Sequence, residues 1–250
     1  MYREPVLMPA YNLYGCAVFP FFHFPLGNCY TLESKFTIIL SLIKTIKIQN
    51  KMANILNIQT SISGENSVSN KLSQTVINQL LDRNPNSTVV IRDLALNPIP
   101  HMEIHHFSAS RIPDEEKNDE QKEASKYSDE ALKEIQEADI IVIGVPFYNF
   151  TFPSTLKSWI DSIAVAGKTF SYADRTPKGL LLNKKLYLNI SVGGIYENGL
   201  IENMEHYLKT LFGFIGITDV EVFKSQGMMV PQLKDENFSK TVAEIETVLA

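Results

Sequence analysis

The sequence predicts an α/β fold: a five-stranded parallel sheet of strand order 2-1-3-4-5 between two layers of helices, a three-layer sandwich. Two observations predict it. Five short runs rich in apolar and β-branched residues alternate with stretches whose apolar residues recur at helical spacing. The central run, residues 138–143 (ADIIVI), is almost wholly apolar, as expected of a parallel strand covered on both faces. In an open sheet of this order, ligands bind at the carboxyl ends of the strands, where the first and third strands part.

The first strand is Asn54–Gln59 (NILNIQ). It runs into a hydroxyl-rich loop, residues 60–70 (TSISGENSVSN), and then a helix marked by Leu72, Val76, Ile77, Leu80 and Leu81. Thr88–Asp93 (TVVIRD) is the second strand and ends in a loop with Pro98 and Pro100. Residues 101–128 are polar, and their charge run, 114–120, reads as a solvated loop or helix face. Residues 126–136 are helical and lead to the third strand. The loop after it, 144–153 (GVPFYNFTFP), opens a helix at Pro153. Lys185–Ser191 (KLYLNIS) is the fourth strand, followed by Val192-Gly193-Gly194 and a helix over Leu200–Phe214. Residues 219–223 form the fifth strand and 236–249 the last helix.

Composition excludes several classes. A net charge of −5 does not suit nonspecific binding to nucleic acid. Both cysteines, Cys16 and Cys29, lie before residue 52. The body beyond therefore has neither a disulfide framework nor a cysteine nucleophile. Residues 1–51 carry Arg3, Lys35, Lys44, Lys47 and Lys51 against Glu4 and Glu33, so they are basic while the body is acidic. They fit neither a membrane helix, a secretion signal nor a transit peptide. Met52-Ala53-Asn54 looks like a natural start. Residues 1–51 are thus expected to be an extension outside the fold, disordered or non-native, with a genuine anchor or targeting arm as the alternative, and residues 52–250 the single domain.

Three loops at one sheet edge carry candidate chemistry. Ser61, Ser67 and Ser69 precede a helix whose N-terminus favours an anion. The loop has no Gly-Lys-Ser/Thr and only one glycine, Gly64, so it is neither a Walker A loop nor a dinucleotide fingerprint. Neutral donors suit a phosphate monoester; helix capping alone is the plainer alternative. The second loop carries Phe147, Tyr148, Asn149 and Phe150 where a plain connection would be small and polar. The third offers Gly193 and Gly194, either a tight turn or a place where backbone approaches a flat ligand. Together they describe a phosphate seat, an aromatic wall and a glycine edge, a set that suits one flavin mononucleotide (FMN). His105 and His106 are adjacent, but no matching ligands accompany them, so no metal site is read there.

Pro146-Phe147-Tyr148-Asn149-Phe150, then Pro153-Ser154-Thr155-Leu156-Lys157, then residues 166–172 (AGKTFSY), resemble the bacterial FMN-dependent NADH-azoreductases of the flavodoxin-like superfamily, which are also NADH:quinone oxidoreductases. Residues 61–70, 92–100 and 191–194 match the same family in order. The resemblance implies a flavodoxin-like fold and a cytoplasmic homodimer with FMN sites at its interface. It implies that Ser61, Ser67, Val68 and Ser69 hold the phosphate and ribityl chain. Pro146, Phe147, Tyr148, Asn149 and Phe150 would line the ring, and Ser191, Val192, Gly193 and Gly194 its pyrimidine side. Many members have Arg where this chain has Val192. Phe150, Phe170 and Tyr172 would stack on substrate, the last two across the dimer. The implied reaction passes hydride from NADH through FMN to a quinone or azo compound by a ping-pong scheme. The alternatives are a flavodoxin-type electron carrier without a nicotinamide site and a binding module that keeps the fold but has lost FMN. No histidine is assigned as an essential acid.

Overall fold

The computed structural model describes residues 52–173, 175–197 and 199–250; the expectation for residues 1–51 falls outside them. The main sheet has strands β1 (Asn54–Gln59), β2 (Thr88–Asp93), β3 (Ile140–Pro146), β6 (Lys185–Ser191) and β7 (Asp219–Ser225). Their spatial order is β2-β1-β3-β6-β7, all parallel. Counted within the sheet this is the expected 2-1-3-4-5. A separate antiparallel pair, β4 (Phe170–Ser171) and β5 (Lys178–Gly179), was not anticipated. Two-residue strands have no period for a sequence to display.

The helices are α1 (Val68–Arg83), α2 (Ile104–Ala109), α3 (Asp119–Glu137), α4 (Ser154–Ile163), α5 (Leu200–Phe214) and α6 (Lys234–Val248). Alternating side chains of each strand feed two cores. Ile141, Ile143, Leu186 and Leu188 pack with Leu132 of α3, Trp159 of α4 and Phe212 of α5. Val142, Tyr187 and Phe223 pack with Leu72, Val76 and Leu80 of α1 and Ile245 of α6. Burying a side chain such as Trp159 or Phe212 completely contributes roughly 1.5–3 kcal/mol each, so these two layers hold the sheet rigid and its loops are carried on a fixed frame. Among the described residues no helix is long and apolar enough to cross a membrane.

The polar insert departs from its sequence reading. It contains α2 and the first turns of α3, which starts well before residue 126. The start is set by a capping box: the Asn118 side chain accepts from Gln121 N at 2.9 Å and Asn118 N donates to Gln121 Oε1 at 2.9 Å. The carboxylates of the 114–120 run are exposed as expected, but Lys117 among them is buried. Its ammonium lies 2.6 Å from both Asp114 Oδ1 and Asp129 Oδ2. A lysine seldom leaves water unless it is paired, and here two carboxylates supply the pairing.

Candidate active site

The site is assembled where β1, β3, β6 and β7 end. Ser67 caps α1: its Oγ accepts from Asn70 N at 3.1 Å. A helix leaves its first N–H groups without carbonyl partners. Ser67 takes up that of Asn70, which leaves those of Val68 and Ser69 for an anion. Ser67 Oγ and Ser69 Oγ are 3.1 Å apart, and both residues are buried. A phosphate seated here would exchange that mutual bond for its own oxygens. The Ser61 hydroxyl lies 3.1 Å from the Tyr148 hydroxyl, tying the first loop to the aromatic one.

The aromatic loop is a tight hairpin turn. Tyr148 N donates to Thr151 O at 2.8 Å and Thr151 N returns the bond at 3.0 Å. The two central residues, Asn149 and Phe150, have φ of 47° and 67°. Two positive φ values in succession define a type I′ turn, here closed on the isolated bridge between Tyr148 and Thr151. Asn enters this left-handed region readily; a bulky aromatic does so at a cost of order 1–2 kcal/mol. The turn presents Asn149 and Phe150 outward, Phe150 at 63% exposure.

The glycine edge is held from behind. Phe147 N donates to Ser191 O at 2.8 Å, joining it to the aromatic loop. The loop after β7 takes all its carbonyls: Met228 N binds Val192 O at 3.0 Å, Met229 N binds Gly193 O at 2.8 Å and Gly227 N binds Gly194 O at 2.9 Å. The N–H groups of Gly193 and Gly194 donate to nothing among the described residues, and neither do those of Asn149 and Phe150. A Cβ at 194 would lie 3.3 Å from the Tyr196 ring, close enough that the ring would have to shift by a few tenths of an ångström. Val192 contributes backbone alone, since its side chain is fully buried in the core. Pro146, also buried, ends β3 and turns the chain into the loop.

Tyr196 was missed by the sequence reading. Its ring lies 5.6 Å from Phe147 and 6.0 Å from Phe150, and Phe147 and Phe150 are 6.2 Å apart, each pair edge to face. Gln226 Oε1 accepts from Tyr196 N at 3.0 Å, and Asn237 Nδ2 donates to Gln226 O at 3.0 Å. An aromatic two residues beyond the glycine pair was the available signal; Gln226 and Asn237, on other elements, gave none. Beside the turn opens a cleft of about 740 Å³, lined by Ile62, Asn149, Phe152, Lys157, Asn203 and Tyr207.

Phe170 and Tyr172 fall differently. Phe170 is 7% exposed and packs against Phe214 at 4.5 Å, whereas Tyr172 is 61% exposed. Of this pair only Tyr172 presents its ring to solvent; Phe170, expected beside it, is buried. Phe170 supports it from below at 5.4 Å.

These donors fit FMN. Neutral hydroxyls at a helix N-terminus suit a phosphate monoester. Unspent N–H groups on two facing loops suit the carbonyl and nitrogen edge of a flat ring. Residues 53–249 match the model of a protein family described as having a flavodoxin-like fold. An FMN-dependent NADH:quinone oxidoreductase of Cellvibrio japonicus (strain Ueda107) is 39% identical over 199 residues, which cover 80% of this chain and 100% of that protein. The chain belongs to the FMN-dependent NADH:quinone oxidoreductase family. Another member, from Herminiimonas arsenicoxydans, is 42% identical over 180 residues, covering 71% of this chain and 88% of its own. The crystal structure of an azoreductase from Bacillus anthracis str. Sterne superposes with a TM-score of 0.71 at 28% identity, over 79% of this chain and 99% of that one. Within the FMN-dependent NADH:quinone oxidoreductase fold, the four loops described here occupy the ligand-binding edge.

Proposed function

We propose that this chain is an FMN-dependent oxidoreductase that takes hydride from NADH and delivers it to quinones and azo compounds, working by a ping-pong cycle as a cytoplasmic homodimer. The observation that carries the reading is the set of four N–H groups, on Asn149, Phe150, Gly193 and Gly194, that are unspent among the described residues and held on two loops that Phe147 N and Ser191 O lock together. When bound, FMN supplies the ring that accepts and returns hydride.

The chain's own residues do the rest. Ser61, Ser67, Ser69 and the first turn of α1 hold the phosphate. The amides of Gly193 and Gly194 would meet the pyrimidine side of the ring and would stabilise negative charge there. Phe147, Phe150 and Tyr196 exclude water and offer apolar faces to a flat donor or acceptor. One shared position for donor and acceptor requires each to leave before the other enters, which is the basis of the ping-pong proposal.

A second subunit is supported by what the carboxyl edge exposes. Ile62, Leu96, Phe150 and Met229, each on a loop following a different strand, are between 63% and 82% exposed. Apolar residues gathered on one edge mark an association surface. The test is steady-state oxidation of NADH by a quinone series after reconstitution with FMN. Parallel double-reciprocal lines are expected; a yellow protein inert to NADH would identify a carrier, and a protein that never retains FMN would reject the site.

A further inference from the structure

We propose that Asp129 is a positioning residue for acceptor selection, one carboxylate on α3 that holds both the polar insert and the loop leading into Tyr172. The inference rests on the reading of Tyr172 as an acceptor contact.

The geometry is specific. Asp129 Oδ2 accepts from Lys117 Nζ at 2.6 Å and from Ser125 Oγ at 2.6 Å. Asp129 Oδ1 accepts from Lys168 Nζ at 3.1 Å. Lys117 comes from the insert, and Lys168 stands two residues before Phe170. The loop that carries Lys168 is stiff. Gly167, at φ +82°, donates to Phe170 O at 2.7 Å, and Ala166 and Phe170 form a bridge. Thr169 Oγ1 donates to Ile163 O at 2.7 Å. A displacement at Lys168 therefore carries Phe170 and Tyr172 with it.

The opposite side of the same hairpin is fixed to the body. Phe170 pairs with Gly179, and a Cβ on Gly179 would overlap the backbone of Gly216. The Phe170 ring lies 4.5 Å from that of Phe214. The hairpin thus has its Gly179 flank held by close backbone packing and its Lys168 flank tied by charge. Two ammonium groups converge on Asp129, with Asp114 shared by one of them. Without the negative charge between them, Lys117 and Lys168 repel, and Lys168 is the freer to move, since its side chain is 29% exposed against 1% for Lys117. The insert and the acceptor contact are thereby coupled through a single side chain, whose hydrogen bonds run to Lys117, Ser125 and Lys168.

The test compares Asp129→Asn, Lys168→Met, Lys168→Arg and Tyr172→Ala, each reconstituted with FMN and assayed with a small benzoquinone and a bulkier naphthoquinone. Asp129→Asn and Lys168→Met are expected to raise KM for the naphthoquinone about three- to tenfold, the size of a coupling passed through one displaced contact, while kcat and FMN content stay unchanged. Lys168→Arg keeps the charge and restores KM. If Asp129→Asn does not fold, Lys168→Met carries the same test from a more exposed position. Unchanged KM in Lys168→Met alongside a raised KM in Tyr172→Ala overturns the positioning role. A fall in kcat or FMN content matching the change in KM overturns it too, because general loss of structure then explains the effect. Unchanged KM in Tyr172→Ala instead sinks the reading of Tyr172 on which the inference depends.

Discussion

Asn149 and Phe150 sit side by side in the left-handed region, at φ 47° and 67°, on the turn that Tyr148 and Thr151 close with paired hydrogen bonds. Glycine would be the relaxed choice at the second position of such a turn. The chain places an aromatic there and exposes its ring at the site. Backbone strain of this kind clusters at functional sites, which makes the Phe150 ring worth testing there.

Phe150→Gly separates stability from function. Left-handed backbone costs a non-glycine residue about 1–2 kcal/mol, and glycine returns about 0.5–1 kcal/mol of that as unfolded-state entropy. The variant is expected to be as stable as the parent or up to about 1 kcal/mol more stable in urea denaturation, while KM for quinones rises. Lower stability together with unaltered KM would show that the ring serves packing.

Asn149→Ala tests the neighbouring position from the other side. Alanine tolerates positive φ poorly and lacks the amide, so FMN retention should fall; a lost buried hydrogen bond costs about 1–3 kcal/mol. Asn149→Gly keeps the backbone and removes the amide alone. If its FMN affinity, measured by flavin fluorescence, equals that of the parent, the side-chain amide has no part in holding the ring.

Gly144→Ala reaches the phosphate seat from beneath. A Cβ at 144 would meet Asn70 Oδ1 at 3.0 Å, Ser73 Oγ at 3.2 Å and the backbone carbon of Ser69 at 3.3 Å. Ser73 is itself fixed by Asn189, whose Nδ2 donates to Ser73 Oγ at 3.1 Å. The first turn of α1 would have to give by a few tenths of an ångström, so FMN should bind roughly tenfold more weakly, about 1.4 kcal/mol. Titration with FMN reads this directly, and undiminished affinity would place the phosphate away from Ser67 and Ser69.

Asp129 sets an acid-side expectation. Burial pushes its carboxyl up, but hydrogen bonds from Lys117, Ser125 and Lys168, with the charge of Lys168, outweigh this and hold it below the usual carboxylate range. A pKa lower in the folded than in the unfolded chain gives stability that is present above the unfolded value, about 3.9. That stability is lost as pH falls through the folded value. The parent should therefore lose stability from about pH 5 downward more steeply than Asp129→Asn. Urea midpoints at successive pH values check this; equal slopes would show that the carboxyl is not held down.

The sheet and its loops were legible because their signals are local. β1, β2 and β6 lie at the residues their apolar runs marked, and the serine, aromatic and glycine loops follow the strands expected to carry them. The start of α3 was legible in principle, since Asn118 and Gln121 stand at capping-box spacing. The start of α2 was not, because its capping box uses Glu103 and His106, a pair outside the usual cap residues.

Other features could not be read from neighbours in the chain. Nothing near Phe170 says that it is buried by Phe214 while Tyr172 stays exposed. Lys117 stands in a run of charges that local reasoning assigns to solvent, yet Asp129 draws it inward. Tyr196 joins Phe147 and Phe150 only because β3 and β6 are adjacent, and it is fixed only because Gln226 returns beside it after β7.

The sequence by itself determined the strand order and the places of the serine, aromatic and glycine loops, because period, loop chemistry and family resemblance are written along the chain. The tertiary structure alone decided which side chains are free to act: the exposed Tyr172 over the buried Phe170, the unspent amides of Gly193 and Gly194, the strained turn at Phe150. Exposure, unpaired donors and backbone strain are set by what distant segments bring into contact, and no stretch of sequence carries its own neighbours.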